Sequence, residues 1–159
     1  MGGSGILVSH KRTVGLLAAI RSAKPLLSLR AAAVVEAVLL VEGSIGSAES
    51  VARSLGLSNR FSLARLLGEA GLPPLHQLAD WASVISWVRF AEQHGASLNR
   101  IASHSQRHAS ACYRLVRDVT GLTWSEAKAH GSLWLERQFV RYLSSVKNRT
   151  ALTRASSHV

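Results

Sequence analysis

The pattern of apolar and polar positions between residues 47 and 75 predicts two short helices joined by a tight turn. The first helix covers about residues 47–55, Gly56 lies in the turn, and the second helix covers about residues 59–70 before Gly71 ends it. Apolar residues fall on one side of the second helix, since residues three or four apart share a face. The opposite side is polar, aromatic and basic, with Phe61, Ser62 and Arg65. This layout is typical of a helix-turn-helix unit whose second helix presents an arginine to a partner.

A second copy of the pattern follows fifty residues later. The matching positions are Ser47 with Ser97, Val51 with Ile101, Ala52 with Ala102, Leu66 with Val116, Gly71 with Gly121, and Leu72 with Leu122. The inward stripe of the second copy's longer helix, from Cys112 to Val119, is one residue out of phase with this spacing. We therefore expect an insertion or an altered turn between Ser105 and Ser110. The repeat predicts two helix-turn-helix units in one chain.

The remaining segments complete an all-α prediction. Pro25 suits the first turn of an apolar helix that runs to about residue 42, where Gly43 ends it. A further helix covers about residues 132–143. The resulting division is a flexible tail or short helix over 1–24, a first helix-turn-helix subdomain over 25–75, a connecting helix over 75–94, a second subdomain over 95–143, and a basic disordered tail over 144–159.

The connecting helix admits two interpretations. A helix of about 19 residues is about 28 Å long, which approaches the distance of about 34–36 Å between successive major grooves of DNA. The helix would then hold two units at neighbouring grooves. An ordinary core helix fits the same apolar pattern equally well.

Composition and charge narrow the class of partner. The hydrophobic fraction of 47% against 18% charged residues argues against wholesale disorder. The net charge of +10 favours an anionic partner, first nucleic acid and then a membrane surface, while a highly charged surface without a polyanion role is the plain alternative. Cys112 is the single cysteine, so an intramolecular disulfide is excluded, and we expect a small buried side chain there.

Targeting signals are weak. The apolar run over 14–20 resembles a signal peptide only faintly, because it is short and Arg21 follows it at once. The run over 29–41 is shorter than the span of about 20 residues that a bilayer needs. We expect a cytoplasmic, nucleoid-associated protein without a membrane partner.

Several residues resemble the signature of the DNA-binding domain of AraC/XylS-family bacterial transcription regulators. In the first unit they are Val51-Ala52, Gly56-Leu57-Ser58, Phe61, Arg65-Leu66-Leu67 and Gly71-Leu72-Pro73-Pro74, and in the second Ile101-Ala102, Arg114-Leu115-Val116-Arg117 and Thr120-Gly121-Leu122-Thr123. The resemblance implies two helix-turn-helix units, joined by a long helix, in adjacent major grooves. The second unit departs from the signature, since Gln106-Arg107 replaces the usual Gly-Phe and Trp124 stands where proline is common.

The candidate DNA-binding residues lie on the two longer helices. They are Asn59, Arg60, Phe61, Ser62 and Arg65 in the first unit, and Arg107, His108, Ser110, Tyr113, Arg114 and Arg117 in the second. Arg65 and Arg114 match the family's recognition-helix arginines, and a guanidinium group can bond guanine bidentately. Phe61 either contacts thymine methyl groups or packs into the core. The short side chains that begin the second longer helix favour contacts to phosphates over readout of bases.

The sequence gives little support to the hypothesis that the protein is an enzyme. His104 and His108 have a spacing that a metal could use, but no acidic or cysteine partner stands near them. No phosphate-binding glycine loop or nucleophile motif is present in the sequence. We expect no catalysis, no metal and no cofactor, and a sequence-specific regulator of transcription that binds double-stranded DNA. RNA polymerase or another regulator is a further candidate partner, and the sequence leaves the oligomeric state open. The alternative is a charge-driven, nucleoid-type or protein-interaction module that keeps the fold without reading sequence.

Overall fold

The computed structural model describes residues 3–147, with side chains from residue 10 onward. This part of the chain folds into nine α-helices and contains no strand, so the all-α prediction is confirmed. The helices are α1 Gly3–Ala23, α2 Leu29–Leu40, α3 Ala48–Ser54, α4 Arg60–Glu69, α5 Leu75–His94, α6 Leu98–His104, α7 Ala109–Thr120, α8 Trp124–His130 and α9 Ser132–Ser145.

Helix α5 lies at the centre of the fold, because α2, α6, α7, α8 and α9 all pack against it. Twelve of its twenty residues are buried. The ring of Trp81 stacks on Phe139 and Tyr142 of α9, with centroids 5.5 and 5.6 Å apart. The bounds of α5 agree with the predicted connecting helix, and its burial makes it a core helix of the fold.

Helix α1 differs from the flexible tail or short helix expected over residues 1–24. It is 21 residues long and packs against α2 and α9. Leu16, Leu17 and Ile20 lie on one face of α1 and are buried in the core. This burial stabilises a helix that the local sequence alone left uncertain.

Helix α2 begins at Leu29 and not at Pro25, which lies in the turn after α1. The reason is local, because the Ser28 hydroxyl accepts a hydrogen bond from the Ala31 amide at 3.2 Å and so caps the helix. At the other end Gly43 adopts a φ of +78°, and its amide donates to the Val38 carbonyl at 3.0 Å. Gly43 therefore closes the end of the helix as predicted.

Polar contacts join α5 to α9. Arg89 and Glu136 form a buried ion pair, with Nη2 and Oε1 2.6 Å apart and side chains 10% and 11% exposed. The Nε atom of Arg89 has no hydrogen-bond partner among the described residues. Nearby, Glu92 accepts hydrogen bonds from the amide and hydroxyl of Ser132 at 2.7 and 2.6 Å. The carboxylate of Glu92 thereby accepts a hydrogen bond from a backbone amide in the first turn of α9 that has no partner within the helix.

The C-terminal end extends the predicted helix by two residues. Ser144 and Ser145 belong to α9 and not to the expected disordered tail, while residues 148–159 of that expected tail lie outside the described residues. In the described part of the chain, no helix has the length and apolar character required to cross a membrane.

Candidate nucleic-acid interface

The pairs α3–α4 and α6–α7 begin with the same cap. The hydroxyl of Ser47 accepts a hydrogen bond from the Ser50 amide at 3.1 Å, and the hydroxyl of Ser97 accepts one from the Arg100 amide at 3.3 Å. Each serine precedes a helix of seven residues. The spacing of the two caps in the sequence is therefore matched by equal local structure.

The turns after these short helices also match. Gly56 has a φ of +70°, and Gln106, fifty residues later, has a φ of +53°. The Leu57 amide donates to the Ala52 carbonyl at 2.9 Å, and in the second pair the same bond runs from Arg107 to Ala102 at 3.0 Å. The turn is thus retained in the second pair although glutamine replaces the glycine.

The phase shift between the pairs arises after this turn. Helix α4 is capped by Asn59, three residues after its turn residue, whereas His108 is the N-cap of α7, two residues after Gln106. The connection is one residue shorter, which locates the change expected between residues 105 and 110. Within the longer helices, equivalent residues are consequently 49 positions apart.

Burial confirms the new phase. Leu63 and Leu67 of α4 are buried, and so are Cys112 and Val116 of α7. The sequence pairing of Val116 with Leu66 is therefore wrong, because Val116 takes the place of Leu67. The prediction of a small buried side chain at Cys112 is confirmed, and burial raises the pKa of its thiol. In the same phase Arg114 is the counterpart of Arg65.

The N-terminus of α4 is closed by side chains. The side-chain Oδ1 of Asn59 accepts hydrogen bonds from the amides of Phe61 and Ser62, both at 3.0 Å. A carboxylate oxygen of Glu49 accepts from the Arg60 amide at 3.1 Å, which also ties α3 to α4. Asn59 therefore serves as a cap in the structure, and its side-chain oxygen is occupied.

The other candidates of the first unit lie on one exposed side of α4. Phe61 is 64% exposed, so its ring lies on the surface and not in the core. The Arg60 guanidinium lies 5.0 Å from the centre of the Phe61 ring. Ser62 is half-buried and shares a hydrogen bond with Ser58 at 2.9 Å. Arg65 is exposed one turn further along the helix.

In the second unit three candidates surround one open cleft. Tyr113, Arg114 and Arg117 line a cleft of about 310 Å³ together with Thr123 and Trp124. The two guanidinium groups and the phenol are hydrogen-bond donors suited to phosphate oxygens. The cleft thus has the chemistry of an anion site.

The other candidates of the second unit have different settings. The Arg107 guanidinium lies 5.6 Å from the centre of the Trp87 ring, so it stacks against α5. His108 and Ser110 are exposed at the start of α7, where the His108 side chain makes no capping bond. Arg107 is therefore not one of the residues that line the cleft.

The sequence analysis named Trp124 only as a departure from the family signature, and it predicted neither a place for Trp124 in the site nor helix α8. Trp124 is 7% exposed and forms part of the wall of the cleft. The Thr123 hydroxyl accepts from the Glu126 amide at 3.3 Å, and Glu126 accepts from the Thr123 amide at 2.8 Å. The hydrogen bonds from Thr123 lower the pKa of Glu126. This capping box, visible as Thr-x-x-Glu in the sequence, was the signal for a helix at that point.

Comparison of the chain with models of protein families, with curated proteins and with solved structures found no match.

Proposed function

We propose that the chain is a transcription regulator that binds double-stranded DNA sequence-specifically, with α4 and α7 as the recognition helices of two helix-turn-helix subdomains. One observation carries the proposal. The two helix pairs have the same cap and the same turn, and their longer helices carry exposed arginines at equivalent positions, Arg65 and Arg114. The proposal follows the resemblance to the AraC/XylS DNA-binding domain.

The length of α5 supports two contacts on one face of the duplex. Its twenty residues correspond to about 30 Å at the usual rise per residue. Successive major grooves are about 34 Å apart. Since α5 follows α4 and precedes α6 in the chain, and α6 and α7 pack against it, its length would set the separation of the two pairs.

The two units would have different tasks. On α4, Arg65 would bond a guanine edge and the exposed Phe61 ring would contact thymine methyl groups. On α7, the cleft formed with Arg114 and Arg117 would hold a phosphate and so fix the register of the protein on the duplex. The net charge of +10 adds a sequence-independent attraction to the same partner.

A specific observation favours the charge-driven module as a second candidate. Arg107 is exposed, but its guanidinium lies over the Trp87 ring of α5 and does not line the cleft of Arg114 and Arg117. The first residues of that helix, Ala109, Ser110 and Ala111, are short. A second unit that contacts only phosphates would leave little sequence preference beyond that of α4.

Selection of bound fragments from a random duplex library tests the proposal. We expect an enriched motif, with binding to random DNA weaker by about 10³-fold or more. On the enriched site, Arg65→Ala should weaken binding by about 1–3 kcal/mol and relax one base position. Arg114→Ala should weaken binding and reduce its salt dependence. Arg21→Ala, which removes an exposed arginine of α1, is the matched control and should change little.

Two results would count against the proposal. If no motif is enriched and binding falls steeply with salt, the charge-driven module is the correct interpretation. If Arg21→Ala weakens binding as much as Arg65→Ala, the arginines act through net charge and not through α4. A cytoplasmic location on the nucleoid, and contact with RNA polymerase or another regulator, are further parts of the proposal.

A further inference from the structure

An apolar groove runs between α1 and α9, two helices that the proposed function does not use. Its volume is about 380 Å³. The residues that line it are Gly15, Leu16, Ala19, Leu133, Glu136, Arg137, Val140 and Arg141. Leu133, one of these residues, is 56% exposed. The groove forms an accessible apolar strip between two packed helices.

Gly15 lines this groove without a side chain. It lies in the interior of α1, where glycine is a poor helix former compared with alanine. A Cβ atom built at this position would meet no atom within 4 Å. No turn and no close approach of another helix therefore requires glycine here. The missing side chain instead leaves open space above the helix.

The wall formed by α9 is basic. Arg137 and Arg141 are exposed, lie one turn apart on α9, and are not engaged by a carboxylate of the described chain. Glu136 also borders the groove, but its carboxylate is paired with Arg89 at 2.6 Å and is 11% exposed. The groove thus combines an apolar floor with two free positive charges.

We propose that this groove binds an acidic amphipathic helix of another protein. Such a helix would place apolar side chains at i, i+3 or i+4 and i+7 on the floor between α1 and α9. Two carboxylates one turn apart would pair with Arg137 and Arg141. Charge complementarity at the edge of an apolar groove fixes the orientation and the register of the bound helix.

The helices of the described chain do not match this ligand. Apart from α5, which is in the core, none of the helices in the described chain has more acidic than basic residues. Residues 148–159 contain Arg149 and Arg154 and no aspartate or glutamate. A second copy docked through any of these helices, or residues 148–159, would therefore bring no excess of negative charge to the positive groove. DNA would satisfy the arginines but would leave the apolar floor without a partner.

The test uses the full chain and a fluorescent probe peptide. The probe is an amphipathic helix of about 18 residues, long enough to be helical in water, made of leucine, alanine and glutamate. A second peptide replaces each glutamate by lysine. Fluorescence anisotropy should show saturable binding of the acidic peptide and at least tenfold weaker binding of the basic one.

Two variants locate the site. Arg137→Glu with Arg141→Glu should weaken binding of the acidic peptide by about tenfold or more, whereas Arg53→Glu with Arg100→Glu changes the net charge equally and should have little effect. Gly15→Leu should abolish binding by filling the groove. Its thermal midpoint should equal or exceed that of the wild type, so that loss of fold is excluded.

The outcomes separate this proposal from the proposed function. Absence of saturable binding, equal effects of the two double variants, or unimpaired binding by Gly15→Leu would each overturn the groove proposal. Binding of the chain to anionic vesicles in place of the peptide, with loss in Gly15→Leu, would identify a lipid surface as the partner and would also overturn it. DNA binding by Gly15→Leu should be unchanged, so a failure here leaves the DNA proposal intact.

Discussion

Replacement of glycine by alanine has opposite expected effects at Gly15 and Gly56. The two sites offer the same space, since a Cβ atom at either position would meet nothing within 4 Å. They differ in backbone conformation. Gly56 has a φ of +70° in the turn between α3 and α4, whereas Gly15 lies within helix α1 and outside the left-handed region. The comparison therefore isolates the conformational contribution to stability.

The expected magnitudes follow from these conformations. The left-handed region is unfavourable for an L-residue by about 1–2 kcal/mol, and the stiffer unfolded chain offsets about 0.4–1 kcal/mol of this. Gly56→Ala should thus lower the free energy of unfolding by about 0.5–1 kcal/mol. Gly15→Ala should raise it by about 1 kcal/mol, the difference between the two residues in a helix interior. Gln106→Gly, at a φ of +53°, should raise it by about 0.5–1 kcal/mol.

Urea unfolding followed by far-ultraviolet circular dichroism measures these differences, provided that the slope with denaturant is unchanged. A change of 1 kcal/mol corresponds to about 2–4 °C in the thermal midpoint for a chain of this size. A neutral or stabilising Gly56→Ala, or a destabilising Gln106→Gly, would contradict the left-handed turn in that unit. A destabilising Gly15→Ala would contradict the helical assignment of α1.

Three further predictions concern the core. Gly43→Ala should lower the free energy of unfolding by at least about 2 kcal/mol, because a φ of +78° is combined with contact between the new Cβ atom and Ser83; a midpoint within error of the wild type would show that α5 moves aside. Glu136→Gln should lower the free energy of unfolding by about 3–5 kcal/mol, because it leaves the Arg89 charge buried and unpaired. The double variant Arg89→Met with Glu136→Leu should be close to neutral in the same denaturation assay. A loss in the double variant equal to the sum of the losses in its two single variants would exclude coupling. Burial raises the pKa of Asp80 above its ordinary value, so its contribution to stability is present at acid pH and is lost as pH rises through the folded-state pKa. Asp80→Asn should therefore raise the thermal midpoint at pH 7 and leave it unchanged at pH 3, and a lower midpoint at pH 7 would show that the charge is stabilising.

Local sequence determined most of the helix boundaries. Ser47 and Ser97 were expected to begin helices and both accept the capping hydrogen bond, three residues ahead. Gly71 and Gly95 adopt positive φ angles of +69° and +63° at the ends of α4 and α5. Caps and left-handed turns involve atoms within about four residues of one another, so a short window of sequence contains the whole interaction.

The candidate site was predicted only in part, because a short window of sequence shows local spacing but not contacts between distant helices. The exposed side of α4 follows from residues three and four apart, and Arg65 lies on it. The position of Arg107 does not follow from local spacing, because its guanidinium stacks on Trp87, which belongs to a different helix. The equivalence of Val116 with Leu67 required the structure, since it depends on a connection that is one residue shorter.

By itself, the sequence predicted that the described part of the chain is all-α, that the caps at Ser47 and Ser97 begin short helices fifty residues apart, and where most helices begin and end. Only the tertiary structure decided that α1 packs into the core, that Arg89 pairs with Glu136 across 47 residues, and that α1 and α9 enclose a basic-rimmed groove. Periodicity shows that a helix has an apolar face, but many faces in one chain are equally apolar. The choice among them depends on the fit of whole surfaces that lie far apart in the sequence.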